Sequence, residues 1–210
     1  MENGYSKSFY TKILAIARAA AYLLYPPKVE GIENLPAEGG CIICPNHISM
    51  RDAVIMAAIS KRHLRFMGKR ELFETKFKWF TKFLYGLGAF PVARGDADLS
   101  AIRTSLNVLK EGNCLLIFGQ GTRRRKEDTE EPPMNTGVAL LALRSKTPVI
   151  PVYIKPPYRI FRRMHVYIGR PMDFSDIKRA DKQTMQDVTD KITGAIFSMG
   201  APAIDAPKGN

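Results

Sequence analysis

The chain has 210 residues, enough for one domain with a proper hydrophobic core. Lysine and arginine outnumber aspartate and glutamate by 32 to 20, and the resulting charge of +12 points to anionic partners: nucleic acid, anionic lipid headgroups, an acidic protein or a phosphorylated substrate. The N-terminus lacks a charged start followed by an unbroken apolar core and a small-residue cleavage site, so no secretory leader is expected and the protein should remain on the cytosolic side.

Residues 8 to 25, "SFYTKILAIARAAAYLLY", predict a helix. Phe9, Ile13, Ile16, Ala20 and Leu23 recur at helical spacing, flanked by Tyr10, Leu14, Ala17 and Leu24. Lys12 and Arg18 interrupt any run long enough to span a bilayer. Two readings remain: an amphipathic helix lying in a membrane interface with its cations toward phosphates, or a helix packed on its own domain. The prolines at 26 and 27 end it. The organisation expected is an interfacial helix over 1–27, the main domain over 28–200 and a disordered tail over 201–210.

From Gly31 onward the pattern alternates. Strands are predicted at 41–45, 64–68, 89–93, 114–119, 148–154 and 163–169, with helices at 50–60, 71–85, 98–110, 136–146 and 181–198. Near-continuous apolar strands between amphipathic helices imply an α/β fold, a largely parallel sheet flanked by helices. In the helix from Asp98, Leu99, Ile102, Leu106 and Leu109 define the expected buried face, and Gly112 closes it. Phe73, Phe77, Phe80, Leu84 and Leu87 define another. Trp79 and Phe83 fall off that stripe beside Lys78 and Lys82, a pattern that suits a membrane interface.

Cys41 and Cys44 form a C-x-x-C, but on a strand residues three apart point to opposite faces and cannot grip one ion. With Cys114 they read as buried thiols, and no metal is expected.

The stretch "CIICPNHISMRDAVIMAA" at 41–58 ends a strand in His47 and starts a helix near Asp52. Two helical residues five apart point about 140° from each other, so the pair meets only if His47 lies on the loop and Asp52 in the first turn. His47 could then donate one ring N–H to the carboxylate and keep the other nitrogen as a base. Ser49 and Asp52 also match a capping box, which would account for the aspartate without catalysis. The carboxyl edge of a parallel sheet is nevertheless where open α/β folds place ligands. "GAFPVAR" brings Arg94 to the same edge, and "FGQGTRRR" brings Gly119, Gly121, Thr122 and Arg123. Forked guanidinium donors beside a histidine base suggest a phosphorylated substrate; Arg124 and Arg125 read as solvated loop cations.

Four ordered blocks resemble the glycerophospholipid acyltransferase family, in particular bacterial 1-acylglycerol-3-phosphate acyltransferases. They are "NHISMRD" (N-H-x-x-x-x-D, with Asn46, His47 and Asp52), "GAFPVAR" with Arg94, "FGQGTR" where the family usually has F-P-E-G-T-R, and the strand "PVIPVYI" with Pro151. The resemblance covers about residues 30 to 170. It implies His47 as general base on the acceptor hydroxyl, Asp52 as its orienting partner, and Arg94 and Arg123 on the acceptor phosphate. It further implies substrate-binding positions at Asn46, Gln120, Gly121, Thr122 and Pro151. The implied acceptor is lysophosphatidate or a related lysolipid, and the implied donor is an acyl carrier protein or acyl-coenzyme A thioester. No cofactor is implied. The expected setting is an anionic membrane surface on the cytoplasmic face, bound peripherally or monotopically.

Two departures bear on the acceptor. Gln120 keeps the length of the family's glutamate but loses its charge, and Gly119 replaces a proline. The alternative they raise is an acyltransferase of the same fold acting on another lysophospholipid or an amine-bearing lipid. If lysophosphatidate is the acceptor and the change only weakens its use, Gln120→Glu is expected to raise lysophosphatidate transfer. A non-enzymatic basic module for anionic lipid or nucleic acid is the competing class. No nucleic-acid motif is present, and aromatics do not interleave with a basic strand.

Overall fold

The computed structural model describes residues 7–93, 98–123, 132–157 and 159–200. Arg94, Arg124, Arg125 and the expected tail at 201–210 lie outside the described residues. The described strands form a seven-stranded sheet in the order β1-β7-β6-β2-β5-β3-β4. They are β1 (Pro27–Glu30), β2 (Cys41–Pro45), β3 (Leu64–Lys69), β4 (Ala89–Val92), β5 (Cys114–Leu116), β6 (Val149–Ile154) and β7 (Met164–Ile168). All neighbouring strands run parallel except β6 and β7.

The central strands are buried on both faces because helices cover both. On one face α4 (Leu99–Lys110), α5 (Gly137–Ser145) and α6 (Lys182–Ser198) cover Ile42, Cys44, Leu115 and Val149. On the other, α2 (Asp52–Ile59) covers Cys41, Ile43, Leu64, Cys114 and Leu116. Cys41 and Cys44 therefore do point to opposite faces, and Cys41 donates instead to Cys114 on the neighbouring strand, 3.2 Å away.

The N-terminal helix α1 (Lys7–Leu24) lies along α2. Its buried side follows the predicted flank, with Tyr10 buried and Leu14, Ala17 and Leu24 partly covered, and adds the buried Ala21. The stripe itself splits. Ile16 and Leu23 are exposed, while Phe9 meets Phe83 edge-on and fills the space beside Gly86. Arg18 turns toward the domain. Its guanidinium donates to the carbonyls of Ala58 and Ser60 at 2.8 and 2.9 Å, satisfying open acceptors at the end of α2. Tyr10 Oη accepts the buried N–H of Leu64.

Several sequence expectations are corrected. The helix expected over 71–85 is a 3-10 turn at Arg70–Leu72 and then α3 (Lys78–Gly86). The Phe73 ring lies under Gly68 and against Tyr85, and its carbonyl accepts from Thr81, so the chain turns there and the phase of the stripe is lost. Phe77 is consequently exposed, not core. Leu99 is exposed too: α4 buries Ala101, Ser105, Val108 and Leu109, and Leu99 is its first residue, at the helix end. The strand expected over 114–119 stops at Leu116, because the chain must leave the ladder to build the loop described below. Strand β1 was not expected at all.

Asp98 ties the ends of the segment that carries Arg94. Its carboxylate accepts from Ala93 N–H on one side, from Ser100 and Ala101 N–H in the first turn of α4, and from Arg70. These donors, the Ala93 N–H foremost, hold its pKa below the ordinary carboxylate value. A depressed carboxylate stabilises the fold above its unfolded value and loses that contribution as pH falls through the folded one. Asp98→Ala should therefore cost about 1 kcal/mol at neutral pH. In chemical denaturation the gap from wild type should close as pH drops below about 4.

Candidate active site

Strand β2 lies in the middle of the sheet, between β6 and β5, and delivers its carboxyl end to the edge where neighbouring chain segments converge. Pro45 ends the strand, and Asn46 to Arg51 form the loop into α2. Asp52 is the first residue of that helix and is fully buried. A carboxylate so placed needs donors, and its Oδ2 has them: Ile48 N–H and Ser49 N–H at 2.8 Å each, and His47 Nδ1 at 2.9 Å. The capping-box alternative is realised in part, since Asp52 reaches back to Ser49 N–H while Ser49 Oγ accepts from Arg51 N–H.

Oδ2 already accepts two backbone N–H groups, an acceptor's arrangement in which Nδ1 serves as the third donor and a neutral imidazole carries its lone pair on Nε2. The His47 side chain keeps 12% of its surface open. Its ring stacks on Phe118 at 3.9 Å between centroids with 22° between planes, which fixes the tilt. Its backbone N–H donates to Gln120 Oε1 at 2.8 Å.

Asn46 is buried, and both its polar atoms are spent on Ile154. Nδ2 donates to the Ile154 carbonyl at 3.0 Å and Oδ1 accepts the Ile154 N–H at 2.7 Å. This reciprocal pair extends the β2–β6 ladder by one residue and anchors the start of the histidine loop. Pro151 lies deeper in the same ladder, opposite Cys44, with its ring against Gly169.

The loop after β5 completes the edge. Gly121 has φ +66°, a left-handed conformation in which an L side chain is strained, and its N–H closes a turn onto Phe118 O. Thr122 and Arg123 follow, both exposed. The Met134 methyl occupies the position that a Cβ on Gly119 would take, and Asn135 bonds the Gly119 carbonyl through both its backbone and side chain. Gln120 Nε2 donates to the Pro132 carbonyl at 3.3 Å. Of the predicted site residues, His47, Asp52, Asn46 and Gln120 are thus joined through hydrogen bonds, Gly121, Thr122 and Arg123 continue from Gln120, and Arg94 is outside the described residues. Sequence reasoning gave no role to Phe118, the stacking partner; its signal was its place as the first residue of the block "FGQGTR".

Comparison with known proteins places the chain in a family. A family model described as acyltransferase matches residues 26–155. The chain is 34% identical over 155 residues to the 1-acyl-sn-glycerol-3-phosphate acyltransferase of Bacillus subtilis, covering 71% of this chain and 75% of that one. It is 31% identical over 159 residues to the protein of the same name from Streptococcus pneumoniae, covering 72% and 57% respectively. The crystal structure of the 1-acyl-sn-glycerophosphate (LPA) acyltransferase PlsC from Thermotoga maritima superposes with a TM-score of 0.68 at 21% identity, over 92% of this chain and 80% of that one, and so shares the fold. With the family model spanning both β2 and β6 and the Bacillus relative 34% identical over 155 residues, the chain belongs to the acyltransferase family.

Proposed function

We propose that the protein transfers a fatty acyl group from a thioester donor to the free hydroxyl of 1-acylglycerol-3-phosphate, giving phosphatidate. The observation that carries the mechanism is the His47–Asp52 contact at 2.9 Å. Nε2 of His47 takes the hydroxyl proton as the oxygen attacks the thioester carbonyl. Asp52 stabilises the imidazolium through Nδ1–H, and the departing thiolate then recovers the proton and leaves as a free thiol. No acyl-enzyme is required. Cys44 would be a poor candidate for one in any case, since burial pushes its thiol up to about 12.

Arg123, and Arg94 by its motif, are assigned to the acceptor phosphate, with Gly121 and Thr122 shaping the loop. The donor is an acyl carrier protein or coenzyme A thioester; both are acidic, which suits a chain of charge +12. The enzyme works at the cytoplasmic face of the membrane. No helix among the described residues is long and apolar enough to cross a bilayer. Attachment is interfacial, through the outward Ile16 and Leu23 of α1 and the exposed Phe77 and Trp79 at the start of α3. Gln120 is assigned to positioning the His47 loop, so it gives no reason to invoke a different acceptor.

A matrix of donors against lysolipid acceptors, with purified protein in liposomes, tests the assignment. Transfer to lysophosphatidate should exceed transfer to lysolipids lacking the exposed phosphate monoester. His47→Ala and Asp52→Asn should each lower kcat by about a hundred- to ten-thousand-fold with KM little changed. Full activity of His47→Ala would end the mechanism.

Gln120→Glu separates the positioning role from the sequence expectation. A carboxylate could still accept from His47 N–H but has no proton for the Pro132 carbonyl, and it would be buried at a position only 5% exposed. The variant should lose roughly tenfold in kcat, the equivalent of one unmade buried hydrogen bond. A rise in activity, as the motif alone would suggest, would show that the carboxylate acts on substrate.

A further inference from the structure

Residues 159–163, Arg-Ile-Phe-Arg-Arg, lie between β6 and β7 and play no part in the site described above. Ile160 is 51% exposed and Phe161 70%, with Arg159, Arg162 and Arg163 exposed around them. Phe161 has φ +60°, a left-handed conformation that bulky residues rarely adopt and that costs free energy to hold. The turn is held in place: Arg162 N–H bonds Arg159 O, Phe161 N–H donates to Leu24 O at 2.6 Å, and Met164 N–H bonds Pro26 O. The backbone thus abuts the end of α1, one residue from Leu23, itself 69% exposed. The segment also springs from β6, whose last residue, Ile154, anchors Asn46 beside His47. It therefore stands at the catalytic edge of the sheet.

We propose that Arg159–Arg163 is a second membrane-contacting element, in which Ile160 and Phe161 enter the interfacial layer of an anionic bilayer while the three arginines meet lipid phosphates. This rests on the interfacial reading of α1. A single amphipathic helix can roll about its own axis on a surface; a second contact off that axis stops the roll. With α1 and this turn both engaged, the His47 edge is held toward the bilayer, the source of a lysolipid acceptor. An acidic carrier protein would also answer the arginines. The exposed aliphatic and aromatic side chains, on a turn bonded to the end of α1 and flanked by positive charge, match acyl chains below phosphates better.

The test is sedimentation of the full chain with vesicles of phosphatidylcholine alone or equimolar with phosphatidylglycerol, alongside turnover in detergent micelles. Ile160→Ser with Phe161→Ser should weaken vesicle binding at least about tenfold. Changing Arg159, Arg162 and Arg163 to Gln should reduce the preference for the anionic vesicles by about fivefold per arginine. Turnover in micelles should stay at the wild-type level in both. Wild-type vesicle binding by the Ser variant, with loss in Ile16→Ser plus Leu23→Ser, would overturn the role of the turn and leave α1 standing. No binding by the wild type would remove the interfacial reading and this one together. Unchanged vesicle binding with a raised KM for a carrier-protein thioester in the Gln variant would make the turn a protein-docking site instead. Independently of folding losses, Phe161→Trp in a Trp79→Phe background should be quenched by brominated lipid; an unquenched indole would refute insertion.

Discussion

One buried carboxylate organises the edge of the sheet that holds His47. Asp52 is removed from water, and a charge in that position is tolerable only if donors replace its hydration. The donors on Oδ2 come from three consecutive residues, His47 through its ring and Ile48 and Ser49 through their backbone. For three successive residues to reach one oxygen, the loop must curl around it. That curl brings Nδ1 inward and leaves Nε2 on the far side of the ring. The orientation that base chemistry needs is thus the same one that solvates the aspartate.

The curl alone would leave the loop free to pivot, and neighbours on both sides prevent it. From the β6 side, Ile154 exchanges two hydrogen bonds with Asn46, just before the histidine. From the β5 side, Gln120 takes the His47 N–H and Phe118 stacks on the ring. This is possible because β2 is central in a parallel stretch of sheet, where adjacent strands end at the same edge. Gln120 also reaches Pro132, so the loop after β5 is closed onto the segment leading to α5. An amide can serve both partners at once, donating at one end and accepting at the other; a carboxylate cannot.

Much of this was legible in the sequence, for identifiable reasons. The strands announced themselves because burial on both faces demands unbroken apolar runs, and the His47–Asp52 pairing followed from a five-residue spacing that works in one arrangement only. Strand β1 was not legible: "PKVE" begins with the second of two prolines, and at the sheet edge its residues alternate between half-buried and exposed. The stripe through Phe73 and Phe77 misled because helical periodicity can continue in the letters across a turn that breaks it in space. The partners of Arg18 and Gln120 were hidden for another reason. They are contacts from side chain to backbone across 40 and 12 residues, and such contacts leave no local pattern. Gln120 looked like a change in substrate chemistry because its motif was visible and Pro132 was not.

Arg18 couples α1 to the helix that carries Asp52. Its guanidinium holds carbonyls at the last turn of α2, and Asp52 is the first residue of the same helix. Eight helical residues span about 12 Å, a stiff unit on that scale. Any displacement of α1 against the domain therefore shifts the element that carries the Asp52 carboxylate, whereas a helix tethered by a loose linker would transmit nothing. Tyr10 makes a second tie, at the start of β3, so α1 is joined to the sheet as well as to α2. An outward apolar face on a helix fastened this firmly means that whatever surface covers Ile16 and Leu23 also sets the orientation of His47.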